Sequence, residues 1–196
     1  QTLRIPTGFG ALDDRIQGGL GQGELGVVVA PPKHGKTTTL ISIASHALLA
    51  GHKTFYVTLE LSKRAVSIKF DSAFFGSGYE DLKKKPRSFK LKLKELEKKI
   101  KGRLHLVEYP TKSLSLSELQ ADIEKLEPEI VFLDYASIMR SPKNRDQRRF
   151  EISDLHEGLR AIAGRCKIPI WTAHQANRPA LKEKKIVGME HIAEDL

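Results

Sequence analysis

The fold is decided by the stretch Ala30-Pro31-Pro32-Lys33-His34-Gly35-Lys36-Thr37, which lies between a strand-like and a helix-like segment. Residues 26–30 (GVVVA) form a short β-branched run of the kind found in buried strands. Residues 36–49 place apolar side chains at helical spacing, and Gly51 is positioned to end that helix. A strand, a glycine-containing loop and a helix in this order indicate a loop that binds phosphate.

Each residue type in this loop has a chemical role toward a phosphate group. Backbone N–H groups of the loop and of the helix start point at the anion, and the helix dipole strengthens the attraction. Gly35 allows the backbone to approach closely, Lys36 is expected to reach the β- and γ-phosphates, and the Thr37 hydroxyl is a candidate Mg²⁺ ligand. The residues predicted to bind the nucleotide are Ala30, Pro31, Pro32, Lys33, His34, Gly35, Lys36, Thr37 and Thr38. The loop departs from the pattern G-x-x-x-x-G-K-[ST] at its first position, where it has alanine.

Three polar residues elsewhere in the chain lie at the ends of apolar, strand-like runs. Parallel strands bind ligands at their carboxyl edge, so these side chains are expected beside the phosphate loop. Asp134 is the predicted second ligand for Mg²⁺, and Glu60 is the predicted catalytic group that orients or deprotonates the attacking water. Gln175 is expected to contact the γ-phosphate, and Lys36 completes the predicted catalytic set. The alternatives are a helix-terminal charge for Glu60 and an ordinary polar strand end for Gln175.

Strand-like and helix-like segments alternate along the remaining sequence. Apolar strands separated by helices predict an α/β fold with a mainly parallel, twisted sheet that has helices on both faces. The predicted strands are 26–30, 54–59, 104–108, 130–133 and 168–173. Ser62 and either Ser115 or Ser117 are expected to begin helices, whereas residues 1–25 are rich in glycine and expected to be irregular. The length of 196 residues suits a single domain over 1–196.

The composition is that of a globular protein rather than a disordered one, with 40% hydrophobic and 29% charged residues. No apolar run is long enough to span a bilayer. The single cysteine, Cys166, excludes an internal disulfide. A cytoplasmic protein without membrane contact is therefore predicted.

The net charge of +9 is confined to one part of the chain. Between Lys83 and Arg103 there are eleven basic and two acidic residues, so the rest of the chain is neutral. This basic segment lies within residues 82–109, which are predicted to form a helical insertion followed by a strand. It can attract phosphate backbones or form a solvated helix. The second interpretation is slightly favoured, because Phe89 is the only aromatic residue of the basic segment.

These motifs together resemble the RecA-like ATPase domain of DnaB-type replicative helicases, and the chain looks most like phage or mobile-element members. The matching segments are residues 5–9 (IPTGF), 30–38 (APPKHGKTT), 58–62 (TLELS), 133–135 (LDY) and 172–178 (TAHQANR). Residues 189–195 look like the start of the next element of the family. The strands that usually carry the trans-acting arginine finger are expected beyond residue 196, so the resemblance assigns no finger here.

The resemblance implies a P-loop NTPase that couples hydrolysis of Mg-ATP to translocation on single-stranded DNA during replication. It also implies a homo-oligomeric ring, commonly a hexamer, with ATP between subunits and a primase or loader as partner. Two loops would face a central channel, where basic residues contact DNA. These candidates are Arg140, Lys143, Arg145, Arg178, Lys182, Lys184 and Lys185. Neither loop contains an aromatic residue, so contact would be electrostatic and sequence-independent, and a solvated surface loop is the alternative.

The sequence is also compatible with two other functions. One is a RadA- or KaiC-like ATPase that remodels DNA or protein assemblies, which strand-displacement activity would separate from a helicase. The other is an ATP-sensing module that binds DNA or a partner and hydrolyses little, and that would be indifferent to Glu60→Gln. His34 and His174 lie near the predicted phosphate edge. Simple polar contacts are expected for both, because neither has a companion ligand at metal-binding spacing.

Overall fold

The computed structural model describes residues 3–76, 78, 81, 84, 86–141 and 148–176. Its strands are β1 (Arg4–Ile5), β2 (Leu20–Gly21), β3 (Leu25–Ala30), β4 (Lys53–Thr58), β5 (Arg103–Glu108), β6 (Ile130–Asp134) and β7 (Ile170–Gln175). Its α-helices are α1 (Gly10–Arg15), α2 (Lys36–Ala50), α3 (Lys63–Phe75), α4 (Pro86–Lys99), α5 (Leu116–Leu126) and α6 (Arg148–Cys166). The last five strands form one parallel sheet in the spatial order β3-β7-β6-β4-β5.

Apolar side chains cover both faces of this sheet. Along β4, Phe55 and Val57 pack in a core with α5 and α6, whereas Tyr56 packs in a second core with α2 and α3. The same alternation places Leu133 of β6 in the first core and Phe132 in the second. Strands buried on both faces need apolar residues at nearly every position, which explains the apolar runs in the sequence. The predicted α/β fold with helices on both faces is confirmed.

Serine caps begin two of the helices, as the sequence predicts. The Ser62 hydroxyl accepts a hydrogen bond from the Ala65 N–H at 3.3 Å, at the start of α3. Ser115, rather than Ser117, begins α5. Its hydroxyl accepts from the Glu118 N–H, and the Glu118 carboxylate accepts from the Ser115 N–H at 2.8 Å. A cap of this kind contributes about 1 kcal/mol to stability.

The opening segment 1–25, expected to be irregular, contains β1, α1 and β2 in its described part. The strands β1 and β2 pair antiparallel, and the Arg4 guanidinium donates two hydrogen bonds to the Glu24 carboxylate at 3.0 and 2.7 Å. The Asp13 carboxylate accepts from the N–H and the hydroxyl of Thr7 at 2.7 and 2.8 Å. The prediction missed these short elements because polar pairs hold them, and such pairs leave no hydrophobic period in the sequence.

The last strand begins two residues later than predicted. Pro169 has no N–H to donate to a neighbouring strand, and β7 covers Ile170–Gln175 rather than residues 168–173. Gln175 is therefore the final residue of the strand. It is paired in register with Ala30, where the predicted phosphate loop begins.

The basic segment forms a helix on the outside of the molecule. The described lysine side chains of α4 are exposed, while Leu93 and Leu96 are partly buried. Ile100 packs against the core that α2 shares with the sheet. Neither α4 nor any other helix within the described residues is long and apolar enough to cross a membrane.

Candidate nucleotide-binding site

The predicted phosphate loop joins β3 to α2 through a left-handed turn. Gly35 has φ +85° and Lys33 has φ +63°. Both values lie in the left-handed region of backbone conformation, which glycine adopts without steric cost. No heavy atom lies within 4 Å of a Cβ placed on Gly35, so backbone conformation rather than crowding favours glycine there. The His34 N–H donates to the Pro31 carbonyl at 3.3 Å within the loop. The loop leads into a 15-residue helix, which places the positive end of the helix dipole at the loop.

Lys36 and Thr37 are the first two residues of α2. The Lys36 side chain is largely buried, and its ammonium donates to the Pro31 carbonyl at 3.3 Å. The same ammonium lies 5.9 Å from the centre of the Tyr135 ring. The Thr37 hydroxyl donates to Asp134 Oδ1 at 3.2 Å. The fold thus brings the loop and the end of β6 together, although 97 positions separate Thr37 from Asp134.

Asp134 is a fully buried carboxylate with two hydroxyl donors. Thr37 donates to Oδ1, and the Tyr56 hydroxyl donates to Oδ2 at 3.2 Å. Burial raises the pKa of Asp134 to about 6, and the negative charge of Glu60 adds to the increase. The two hydrogen bonds and the Lys36 ammonium lower the same pKa in part. The influence of Glu60 places that carboxylate in the electrostatic neighbourhood of Asp134.

The sheet register brings the two other predicted residues to the same edge. Thr58 of β4 is paired with Asp134 of β6, so Glu60 lies two residues beyond the paired position. Gln175 ends β7 opposite Ala30 of β3. Both Glu60 and Gln175 are exposed, which leaves them accessible to a ligand at this edge.

Mg²⁺ fits the oxygen atoms that converge here. This ion prefers oxygen ligands and is usually bound by one or two protein groups together with substrate phosphates and water. The Thr37 hydroxyl and the Asp134 carboxylate provide two such oxygen atoms, 3.2 Å apart. This donor set suits an ion that is bound jointly with a nucleotide.

Tyr56 is a residue of the site that sequence reasoning did not identify. It is fully buried and stacks on Phe132 with ring centres 6.0 Å apart, while Phe70 meets its ring edge-on at 5.5 Å. Burial, followed by the charge of Asp134, raises the pKa of the Tyr56 hydroxyl well above its ordinary value, so the hydroxyl stays a donor at neutral pH. A buried tyrosine needs a partner for its hydroxyl. That requirement, for a tyrosine between Phe55 and Val57, was the signal available in the sequence.

Tyr56→Phe is expected to raise the Mg²⁺ concentration needed for half-maximal nucleotide binding by about tenfold. The variant keeps the ring but leaves Asp134 Oδ2 without its donor, and a hydrogen bond to a charged group contributes about 1.5–3 kcal/mol. Titration of Mg²⁺ at a fixed concentration of a fluorescent ATP analogue measures the effect. Tyr109→Phe, which removes a hydroxyl that donates to Asp122, is the matched control. An unchanged Mg²⁺ dependence in Tyr56→Phe would show that the hydroxyl does not position Asp134.

Asp134→Asn is expected to stabilise the fold at neutral pH. The pKa of Asp134 is raised from 3.8 to about 6, so the folded state binds this proton more tightly than the unfolded state. Wild-type stability therefore falls as the pH rises through 6, by up to about 3 kcal/mol, and the neutral asparagine avoids this loss. Thermal unfolding without Mg²⁺ should show a more stable variant at pH 8 and nearly equal proteins at pH 4. A variant less stable than wild type at pH 8 would contradict the assignment.

One of the predicted DNA-contact residues lies in the described part of the chain. The Arg140 guanidinium donates to the Glu118 carboxylate at 2.8 Å, and both side chains are about half exposed. The Arg140 N–H donates to the Leu114 carbonyl at 2.9 Å, which fixes the start of this loop to the segment before α5. The other candidates lie outside the described residues and are Lys143, Arg145, Arg178, Lys182, Lys184 and Lys185.

The two histidines near the phosphate edge have different surroundings. His34 is exposed, and its Nδ1 lies 2.7 Å from the Pro32 carbonyl oxygen, the kind of polar contact expected. His174 is only 3% exposed, and its ring packs edge-on against His156 with centres 5.5 Å apart. Burial, followed by the neighbouring His174, lowers the pKa of His156 to about 4. His174 is thus buried against α6, because successive residues of a strand point to opposite faces and its neighbour Gln175 is the exposed one.

The strand order and the loop between β3 and α2 define a RecA-like fold. Comparison with known proteins then assigns the family. Residues 4–187 match the model of the DnaB-like helicase C terminal domain, and the chain belongs to this family. The resemblance found in the sequence motifs is confirmed.

Two curated relatives that match most of this chain are considerably longer proteins. The chain is 28% identical over 181 residues to a probable plasmid replicative DNA helicase of Chlamydia psittaci, covering 89% of this chain and 39% of that protein. It is 24% identical over 199 residues to the replicative DNA helicase DnaB of Leifsonia xyli, covering 97% and 43%. The chain therefore spans about two fifths of the length of these relatives.

Two solved structures are similar in fold. One, described as an ATPase domain, superposes with a TM-score of 0.82 at 17% identity, covering 100% of this chain and 74% of that one. The other, a DnaB-like replicative helicase described with its interactions with primase, gives a TM-score of 0.78 at 18% identity, covering 94% and 46%. At these identities the similarity establishes the fold.

Proposed function

We propose that this chain is the motor domain of a replicative DNA helicase, which couples hydrolysis of Mg-ATP to movement along single-stranded DNA. The contact between Thr37 and the buried Asp134 carries the proposal, since it brings the predicted phosphate loop to the carboxylate proposed to bind Mg²⁺. Glu60 and Gln175 lie at the same edge of the sheet. Membership of the DnaB-like family and a relative named as a plasmid replicative helicase support DNA as the substrate.

Each residue at this edge has a proposed part in hydrolysis. Lys36 would donate hydrogen bonds to β- and γ-phosphate oxygens, within a loop whose backbone N–H groups bind the same phosphates. Thr37 and Asp134 would hold Mg²⁺, which neutralises phosphate charge when bound. Glu60 would orient the attacking water and accept its proton. Gln175 would contact the γ-phosphate and relay its presence to the residues that follow β7.

Single-stranded DNA would contact the loops that follow β6 and β7. Arg140 begins the first loop and is paired with Glu118, so a DNA phosphate would compete with this carboxylate for the guanidinium. Such contacts carry no sequence information and weaken as salt increases. The further contacts proposed are Lys143, Arg145, Arg178, Lys182, Lys184 and Lys185.

We further propose a homo-oligomeric ring, with six copies and ATP bound between them, that works in the cytoplasm with a primase or loader. The primase partner is supported by the similar DnaB-like helicase, whose structure was described with its interactions with primase. The mass of the assembly in solution with Mg-ATP tests the ring. Six copies are expected, and a monomer under these conditions would contradict the proposed assembly.

Strand displacement tests the proposed function against the RadA- or KaiC-like ATPase and the ATP-sensing module. A forked DNA substrate with a single-stranded tail should lose its labelled strand in the presence of Mg-ATP, but not with ADP or with the Glu60→Gln variant. Hydrolysis without strand release would favour a RadA- or KaiC-like role. Nucleotide binding without hydrolysis would favour a sensing module.

A further inference from the structure

The C-terminal end of the basic helix α4 lies far from the nucleotide site. Gly102, just after this helix, donates its N–H to the Leu48 carbonyl near the end of α2 at 3.0 Å. Helix α2 begins at the phosphate loop and has 15 residues, so about 20 Å separates its two ends. A nucleotide bound at the loop therefore does not account for the positive charge at this end of α4.

Three lysines of α4 form a stripe along one side of the helix. Lys90, Lys94 and Lys98 follow one another at intervals of four residues, and all three are exposed. Residues four apart are neighbours on a helix surface, and the stripe extends over about 12 Å. Leu93 and Leu96 lie on a different side and are partly buried, which leaves this lysine stripe facing solvent.

The lysine stripe keeps an excess of positive charge, since its three lysines have two acidic neighbours at helical spacing, Glu95 and Glu97. Among the residues that the structure describes, none forms an ion pair with Lys90, Lys94 or Lys98. The stripe lies in the segment that carries the whole net charge of +9, so attraction for a polyanion is concentrated at this helix. An exposed lysine is a compact charge on a flexible stem, which contacts phosphates without a fixed geometry.

We propose that the lysine stripe is a second contact for the backbone of single-stranded DNA, separate from the loops that follow β6 and β7. The stripe offers repeated point charges and no shaped pocket, which fits an evenly charged phosphate backbone better than an acidic protein surface. Leu91 beside it is 65% exposed, and single exposed leucines are common on protein surfaces. The choice of DNA rests on the proposed function, but the contact requires no hydrolysis.

The salt dependence of DNA binding tests this contact. Fluorescence anisotropy of a labelled thymidine oligonucleotide would compare wild type, K90Q/K94Q/K98Q and the control K125Q/R160Q/K167Q. Both variants lose three positive charges, and the control residues are exposed on other parts of the surface. The slope of log affinity against log salt should fall by about 2 in the stripe variant, at roughly 0.7 per contact with single strands. Equal slopes in all three proteins, or equal changes in both variants, would overturn the proposal.

Two further measurements distinguish failure of the DNA contact from failure of the proposed motor function. The single variant K94Q should lower the slope by about 0.7, and it keeps the test valid if the triple variant does not fold. Nucleotide affinity without DNA should be the same in all three proteins.

The combined results show which proposal fails. If the stripe substitutions change DNA affinity as expected but wild type shows no DNA-dependent hydrolysis, the motor function fails while the contact stands. If hydrolysis depends on DNA but the stripe variant binds like the control, the contact fails while the motor function stands.

Discussion

Replacing Glu60 with glutamine is expected to reduce turnover of Mg-ATP by at least about 100-fold, because general-base catalysis typically contributes that much or more. Glutamine keeps the shape of the side chain but cannot accept a proton from water. Glu60 is exposed at the carboxyl edge of the sheet, near enough to Asp134 for its charge to raise the pKa of that residue. Steady-state phosphate release, measured at saturating ATP, quantifies the loss.

Nucleotide binding provides the comparison for this variant. Binding of a fluorescent ATP analogue should be nearly the same in Glu60→Gln and wild type, since the phosphate loop is untouched. Glu124→Gln, an exposed carboxylate on α5, removes the same charge away from the site and should turn over normally. Normal turnover in Glu60→Gln would mean that Glu60 acts only as a helix-terminal charge.

Lys36→Ala is expected to weaken ATP binding by at least about tenfold and to abolish measurable turnover. Hydrogen bonds to charged groups contribute about 1.5–3 kcal/mol, and each 1.4 kcal/mol corresponds to a factor of ten in affinity. Lys36 is largely buried at the start of α2, with its ammonium on the Pro31 carbonyl. It is thus held at the loop where phosphates would bind. Titration with a fluorescent ATP analogue measures the change.

Lys125→Ala is the control for the loss of a lysine charge. Lys125 is exposed on α5, so its removal should change neither affinity nor turnover. Thermal unfolding of both variants separates a local effect from a loss of the fold. A folded Lys36→Ala protein that binds ATP like wild type would show that the loop is not the phosphate site.

The burial of Asp134 affects both the stability of the protein and the proposed Mg²⁺ site. Its burial raises its pKa to about 6, which costs stability at neutral pH. The same burial places an oxygen 3.2 Å from the Thr37 hydroxyl, where both groups can meet one ion. A protein whose functional site requires charged groups in the interior is generally less stable than it would be without those groups.

Sequence patterns predict those parts of the fold that depend on burial. The apolar runs of β4 and β6 indicate strands with two covered faces, and their ends locate Glu60 and Asp134 at one edge. The glycine at position 35 and the following helix indicate the phosphate loop before any contact is known. These features were predictable because each depends on residues that are close together in the sequence, either through the spacing of apolar residues or through the composition of a turn.

Contacts between distant side chains were not predictable in this way. Tyr56 and Asp134 are 78 positions apart, and the sequence identifies neither as the partner of the other. Arg140 and Glu118 are 22 positions apart, and their pairing depends on how the β6 loop meets the start of α5. Polar pairs of this kind follow from the completed fold. They determine how the site residues are held, while the hydrophobic pattern determines only where they lie.

Steady-state hydrolysis of Mg-ATP with and without single-stranded DNA, at low and moderate salt, tests the central claim most directly. We expect DNA to increase turnover, the increase to fade as salt rises, and both Lys36→Ala and Glu60→Gln to eliminate it. Binding of ATP without any DNA-dependent turnover would contradict the assignment of this chain as a helicase motor.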